Sequence, residues 1–520
     1  MCVVSQLSVM STELHTKVRN RSHIVTIDIL SDNVLLDIFS FCLCGPVATG
    51  FPLGQMKKWK GLVHVCQRWR QIIFSSPRRL DLRLVCSFGM PIRKNLEFWP
   101  VTIPLAIDYY SSHSPSSIDE DNLVAALEQA DRVHRVDIFA SHTLLRKVAT
   151  VMQKSFPVLT HLVLKWDHED MEFTTANSPV LPKGFLNESA PCLQDLCLES
   201  FLLPEVPTFL LSSHILVTLK LETMFQDSFV SPKAMAGWLD GMTRLKTLLI
   251  SFYYADTDLF AFDQERTRSD LKLRITLPTL THFHYIGHSG YLESLLAQID
   301  APLLIRLGIT YHWNHFQASQ LSRFIGHIEN FNQFNRAEAS FEHGVTVEFD
   351  YLHRKGLQAS LSIFLPKLEY LLGQEILDTA LGKLFTTFSN VNHLSVDVSA
   401  IVYTIDNDQG TGEWLQFFRL FPAVEVLQLS GVLGDDAVSS LEDNAEYSEE
   451  MLTDILPVLD TIWLSDVRGK EPKVGSMMLQ QFLSLRQRSG HPVTIVNTQE
   501  ELEEKLEKLE SHRDGQENVL

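Results

Sequence analysis

A short apolar signature recurs along most of this chain, and it leaves few folds open. The signature is apolar-x-x-apolar-x-apolar, as in Val133-x-x-Val136-x-Ile138 and Leu159-x-x-Leu162-x-Leu164. Further copies begin at Leu193, Leu216, Leu245, Leu280, Leu304, Val391, Val424 and Leu459. A weakened copy starts at Phe334, with Ala337 and Ala339 in place of larger residues. Neighbouring copies lie 23 to 35 residues apart, except between Phe334 and Val391, where a gap near twice as wide hides another unit or an insertion. A period of this size marks stacked units that cannot bury their apolar faces singly and do so against one another.

Within a copy, the spacing of apolar residues suits a half-buried strand. Six copies carry a proline just upstream: Pro157, Pro191, Pro278, Pro302, Pro422 and Pro457. Its fixed φ and missing N–H fit a strand entrance and not a strand centre. Helix-like stretches fall between the strands, at 121–130, 144–155, 232–242, 291–299, 320–329, 375–388, 413–420, 450–456 and 477–488. The pattern predicts an α/β solenoid over 119–497, with parallel strands on a concave face and helices on the convex side. A doubly wound enzyme also alternates strands and helices. Here no strand is followed by a Gly-x-Gly-x-x-Gly or a P-loop, and strands of that class are more continuously apolar. Upstream, residues 85–118 read as an extended linker holding a strand near 103–109 and a Ser-rich loop.

In such an arc the alternate strand positions face the concave side, the usual interaction surface. They include His161, Lys165, Asp195, Glu199, Lys220 and Glu222. Further along come His282, His284, Arg306, His393, Asp397, Gln428 and Trp463. These are the candidate target-binding residues. The face lacks an arginine cluster, so a phosphorylated ligand is not the obvious one. Trp463 is either an anchor for a partner or a packing residue against a C-terminal element.

The N-terminal part differs. Leu30, Val34, Leu35, Ile38 and Phe39 share one helix face, and Ser31 and Asp32 can cap its start. Leu62, Val63, Cys66, Trp69, Ile72 and Ile73 repeat the pattern over 59–75. So short a module cannot use that much apolar surface alone, so it packs on the rest of the chain or docks a partner. The residues Leu30, Val34, Leu35, Ile38, Phe39, Trp59, Leu62, Val65, Cys66, Trp69 and Ile72 resemble the F-box pattern, over 28–84. Ser31 stands where that family usually has Pro, Asn33 where it usually has an acid, and the segment Gly45 to Lys58 is longer than typical. The whole chain resembles fungal-type F-box proteins with degenerate leucine-rich repeats. The resemblance implies that those eleven residues bind the Skp adaptor of a cullin-RING ubiquitin ligase, and that the arc binds a protein target. It implies a substrate receptor that is not itself an enzyme. The alternative is a leucine-rich-repeat scaffold whose F-box has decayed.

Bulk properties narrow the classes further. The net charge is −19, which disfavours nucleic-acid and anionic-membrane partners. Seven scattered cysteines suggest a reducing, intracellular compartment, cytoplasmic or nuclear. No secretory signal or transmembrane run is read. His282 and His284 with His288, and His312 with His315, are the best metal candidates, but neither group brings a third ligand at a fixed spacing. No Gly-x-Ser-x-Gly elbow or RING-type spacing occurs, so neither metal nor cofactor is expected. Residues 1–27 read as a disordered lead-in, 435–450 as an acidic loop with a possible phosphosite at Ser440, and 498–520 as an acidic helical tail.

Overall fold

The computed structural model describes residues 27–43, 53–110, 117–167, 178–204, 207–224, 230–253, 274–312, 318–340, 344–351, 359–366, 390–397, 418–430, 456–465, 483–484 and 486–496. The lead-in up to residue 26, the acidic loop, the acidic tail, His315 and the predicted helix 375–388 lie outside the described residues. So do most of the stretches predicted as helices at 413–420, 450–456 and 477–488.

Three helices come first: α1 (Asp32–Leu43), α2 (Leu53–Val63) and α3 (Gln67–Ser75). A large sheet follows. Its first strands are β1 (Leu84–Ser87), β2 (Leu105–Tyr110), β3 (Val133–Ala140), β4 (His161–Trp166), β5 (Asp195–Glu199), β6 (Thr218–Met224) and β7 (Thr247–Phe252). Two short strands, β8 (Ile275–Thr276) and β10 (Ile299–Asp300), pair only with each other among the described residues. The sheet continues through β9 (His282–Gly287), β11 (Arg306–Tyr311), β12 (Arg336–Ser340), β13 (Gly344–Tyr351) and β14 (Ala359–Pro366). It ends with β15 (His393–Asp397), β16 (Val426–Ser430), β17 (Thr461–Ser465) and β18 (Thr494–Val496). Helices α4 (Ile92–Phe98), α5 (Ser117–Leu127), α6 (His142–Val151), α7 (Thr208–Leu211), α8 (Pro232–Leu239), α9 (Ser289–Leu296) and α10 (Ser319–Gly326) fall between strands. The result is a mixed α/β fold dominated, among the described residues, by one open sheet of sixteen strands, mostly parallel and not closed into a barrel.

The reason for the repeat is visible at each strand entrance. The six prolines occupy the second position of a tight turn, four residues before the strand, rather than the entrance itself. Each turn closes with an i→i+3 hydrogen bond, as Leu159 N to Phe156 O, Leu193 N to Ala190 O and Leu304 N to Ala301 O, all 3.2 Å. Proline's φ pre-sets that position of the turn. The same turn forms without proline at Ser213–Leu216 and Met242–Leu245. The next residues dock on the preceding unit. Gln194 N and Asp195 N both donate to Thr160 O, and Val217 N and Thr218 N both donate to Gln194 O. Lys246 with Thr247, Thr281 with His282 and Ile305 with Arg306 repeat the arrangement.

The apolar positions of the strands point to one side, where a single core cluster runs from the first helices to β17. Leu162 and Leu164 are wholly buried while His161, Val163 and Lys165 are half-exposed. The helices seal that side and pack on one another in chain order, as α4 on α5, α5 on α6, α8 on α9 and α9 on α10.

One expectation about the sheet needs correction, and one alternative is decided. Residues 85–118 are not a linker, because β1 pairs in parallel with β2, and β2 with β3. Their burial is that of the other strands, with Leu84, Leu105 and Ile107 wholly enclosed. The wide gap after Phe334 holds an insertion: β12 turns back into β13, which runs antiparallel, and β14 turns again. The sheet order there is β11-β14-β13-β12-β15, so the chain skips two places and fills them backwards.

Side chains also tie one unit to the next. Arg132 donates to the carbonyls of Pro100 and Ile103 in the turn ahead of β2. Buried Arg486 does the same to Leu456 and Leu459 ahead of β17. The Glu293 carboxylate on α9 is 6% exposed. It accepts from Ser319 Oγ (3.0 Å), Gln320 N (2.7 Å) and Leu321 N (2.9 Å), so it caps the first turn of α10 from the neighbouring helix. Replacing it with alanine strands three donors. We expect Glu293→Ala to lower the unfolding free energy in urea by about 3 kcal/mol, with Gln recovering part of it. A loss under about 1 kcal/mol would show that water caps α10 as well.

Candidate functional site

Two surfaces hold the candidate residues: the helical module and the open face of the sheet, the face opposite the core.

In the module, Ser31 Oγ accepts from Val34 N at 3.4 Å and starts α1. Arg68 holds the start of α3 to that of α1, donating to Asp32 Oδ1 and Leu30 O, both at 2.7 Å. The second predicted helix is in fact two. It starts early, at Leu53, and breaks at His64–Cys66 before α3. Cys66 therefore does not line an apolar helix face. It is exposed and caps α3, its Sγ accepting from Trp69 N at 3.5 Å.

The eleven candidate residues divide by environment. Leu35, Phe39, Trp59 and Ile72 are buried in the common core, where they pack the module on the rest of the chain. Phe39 lies 4.7 Å from the Trp69 ring. Trp59 meets Trp99 edge-on at 5.0 Å, and its Nε1 donates to Arg83 O. Leu30, Leu62 and Trp69 are half-buried against that core. The other side of α1 is different. Val34 (43% exposed), Ile38 (39%) and Phe41 (84%) sit at i, i+4 and i+7 and form an apolar stripe in solvent, with Val65 (58%) also exposed. Phe41 was legible from that spacing, but the pattern that drew attention to α1 does not include it.

On the open face, residues of neighbouring strands stand in register. One row runs His161, Asp195, Thr218, Thr247, His282, Arg306. The next runs Val163, Cys197, Lys220, Leu249, His284, Gly308. The His284 ring lies across Gly308, where an added Cβ would come within 2.9 Å of it.

Charge on this face is partly spent on itself. Lys165 Nζ stands 3.0 Å from Glu222 Oε2 and 3.4 Å from Glu199 Oε2. Burial pulls the ammonium down, but Cys197, Glu222 and Glu199 outweigh it, and the net shift is upward. Cys197 donates its thiol to Glu222 Oε1 at 3.3 Å. Burial first, then Glu222, push that thiol up to about 12, so it is no nucleophile. His161 Nδ1 lies 3.5 Å from Asp195 Oδ2, yet burial and Arg135 lower its pKa. His282 and His284 are exposed and both lowered, chiefly by burial; Arg306 adds to the effect at His282, and Glu222 opposes it at His284. Lys220 is half-buried and Arg306 exposed. No group of three metal-ligating side chains is gathered among the described residues.

Toward β18 the open face closes. Trp463 is half-buried and packs with Val426 and Val496 in a small apolar cluster separate from the main core. That is the packing role of the two expected for it. Gln428 and Asp397 are half-buried. His393 was expected on an accessible face and is not there: it is 5% exposed, between Arg336 on β12 and Val426 on β16. The buried strand β15 has only Asp397 partly open. Strands β2 and β3 add residues that the sequence reading left out, namely Asp108, Tyr110, Arg135, Asp137 and Phe139. Their alternation was readable, but the assignment of 85–118 as a linker removed β2 from the face.

No family model matches this chain, and no curated protein matches its sequence. Among the described residues no helix is long and apolar enough to cross a membrane.

The buried histidine sets a pH dependence. Burial, with Arg336 adding to it, lowers the His393 pKa to about 4, only partly offset by its hydrogen bond to Gln428. An unfolded histidine takes its proton near pH ~6.5, so between these values the unfolded chain binds more protons than the folded one. Stability from this group is complete above that pH and falls as the solution is acidified toward 4. We expect His393→Leu to flatten the loss between those pH values by on the order of 3 kcal/mol. Urea melts along a pH series measure it, and an unchanged slope would refute the assignment.

Proposed function

We propose that the chain is a substrate receptor of a cullin-RING ubiquitin ligase, with residues 28–84 as an F-box that binds the Skp adaptor and a leucine-rich-repeat solenoid that holds a protein target. The observation that carries this reading is the stripe Val34, Ile38 and Phe41. The module already spends Leu35, Phe39, Trp59 and Ile72 on its own core. It nevertheless keeps a second apolar edge on α1 in water, with Val65 also exposed. Exposed apolar residues ordered along one helix face are what a partner helix or groove needs. The open face is supported as the target side by its row of mixed polar and charged residues on rigid strands. On this reading the chain supplies no reacting group. It brings a target close to a ubiquitin-charged enzyme held by other subunits, and its contribution is proximity and orientation.

Purified full-length chain, tested for capture of the Skp adaptor, decides the matter. We expect a stable complex, and we expect Ile38→Asp with Phe41→Asp to weaken it by at least roughly a hundredfold, since two desolvated anchors are lost. Both positions are exposed, so the melting temperature of the variant should stay near that of the parent. If the parent chain does not bind the adaptor, the receptor reading falls and the scaffold reading takes its place.

A further inference from the structure

The open face begins, at β2 and β3, with a surface unlike the rest of it. Tyr110 and Phe139 are register partners at the ends of these strands. Their ring centroids lie 6.3 Å apart with planes tilted by 33°. Tyr110 is 52% exposed. Two residues back on each strand stand Asp108 and Asp137, also register partners on the same face. Two carboxylates on neighbouring strands repel. Arg135 pairs with one of them, with Nη2 3.1 Å from Asp137 Oδ2, and is felt at Asp108 as well; the Tyr110 hydroxyl hydrogen-bonds to Asp137. Among the described residues no hydrogen bond or ion pair reaches the Asp108 carboxylate. Burial, and then Asp137, raise its pKa, while the Arg135 guanidinium pulls it down. Further along, Lys165 is the register partner of Phe139 and is held by Glu199 and Glu222. It is not free to neutralise Asp108.

We propose that this corner of the open face binds a basic side chain, lysine or arginine, of a protein target. The rings of Tyr110 and Phe139 take its cationic head against their π faces, and Asp108 is its counter-ion. An aromatic face attracts a cation within ~6 Å of its centroid, and a carboxylate without a partner adds directional charge. A neutral or acidic ligand gains neither term. An anionic one meets two carboxylates against one arginine, so charge complementarity selects the cation. The inference names the ligand class for the target-binding face described above and rests on that reading.

The test uses the purified full-length chain and immobilised short peptides that differ at one central residue: lysine, arginine, norleucine or glutamate. We expect lysine and arginine peptides to be retained roughly tenfold better than norleucine ones at low salt. We expect Asp108→Asn and Tyr110→Leu each to erase about fivefold or more of that preference. Tyr110→Phe keeps the ring and should keep the preference, which separates loss of binding from loss of folding. Equal retention of lysine and norleucine peptides overturns the proposal, as does a preference that Asp108→Asn leaves intact. Adaptor capture by the same preparations reads the receptor proposal independently. If it fails while the lysine preference stands, only that proposal falls. If it succeeds while the preference is absent, only this one does.

Discussion

At eight strand entrances one backbone carbonyl accepts two consecutive N–H groups from the next unit, and the register of the sheet depends on it. Thr160, Gln194, Val217, Lys246 and Thr281 serve this role in turn, and Asn335, Asn392 and Glu425 continue it after the insertion. The contact lies between units and involves no side chain, so very different sequences can occupy the positions around it. What the side chains must do is narrower. The apolar residues of each strand must face the helices, because a slip by one residue would turn every one of them outward. The tight turn ahead of the strand, with or without proline, delivers the chain to the carbonyl at the right phase.

With the register held in this way, the two faces of the sheet are chemically independent. The inner one is a continuous apolar layer. The outer one is free to vary, and it varies in blocks. Around β4–β6 the charges pair internally through Lys165, Glu199 and Glu222. Around β9 and β11 the exposed residues are histidine and arginine. Beyond β15 the outer face carries its own small apolar cluster around Trp463. The helical module shows the same economy at smaller scale. One side of α1 belongs to the shared core, and the other holds Val34, Ile38 and Phe41 in water.

The parallel strands were legible because each repeats a six-residue signature, and the period of that signature is a direct consequence of pleated geometry. The turn was legible only as a proline near a strand, since its closing hydrogen bonds are backbone contacts with no residue code. Strands β1 and β2 were not assigned to the sheet, because they precede the clear repeats and Ser-rich chain follows β2. The reversed strand β13 was hidden for a different reason. Thr346, Val347, Glu348, Phe349 and Asp350 alternate like any strand, and alternation says nothing about direction. Burial of His393 was also out of reach, because it depends on what stands on β12 and β16 and not on β15 itself. For the module, helical periodicity located the apolar residues of α1 but could not say which of its faces the rest of the chain would cover.

The backward filling of β12, β13 and β14 has a bearing on how the chain reaches its native state. From β2 to β11, and again from β16 on, each strand of the large sheet pairs with the preceding strand of that sheet, and growth is local. Strand β12 cannot pair with β11, because two places lie empty between them. The edge of β11 and that of β12 stay open until both reversals are complete. Until then the chain is two growing sheets joined by a short helical stretch, each with an unpaired edge of the kind that recruits other chains. The two parts of the sheet become one only through the meander, and edges open before it closes are places where other chains can add.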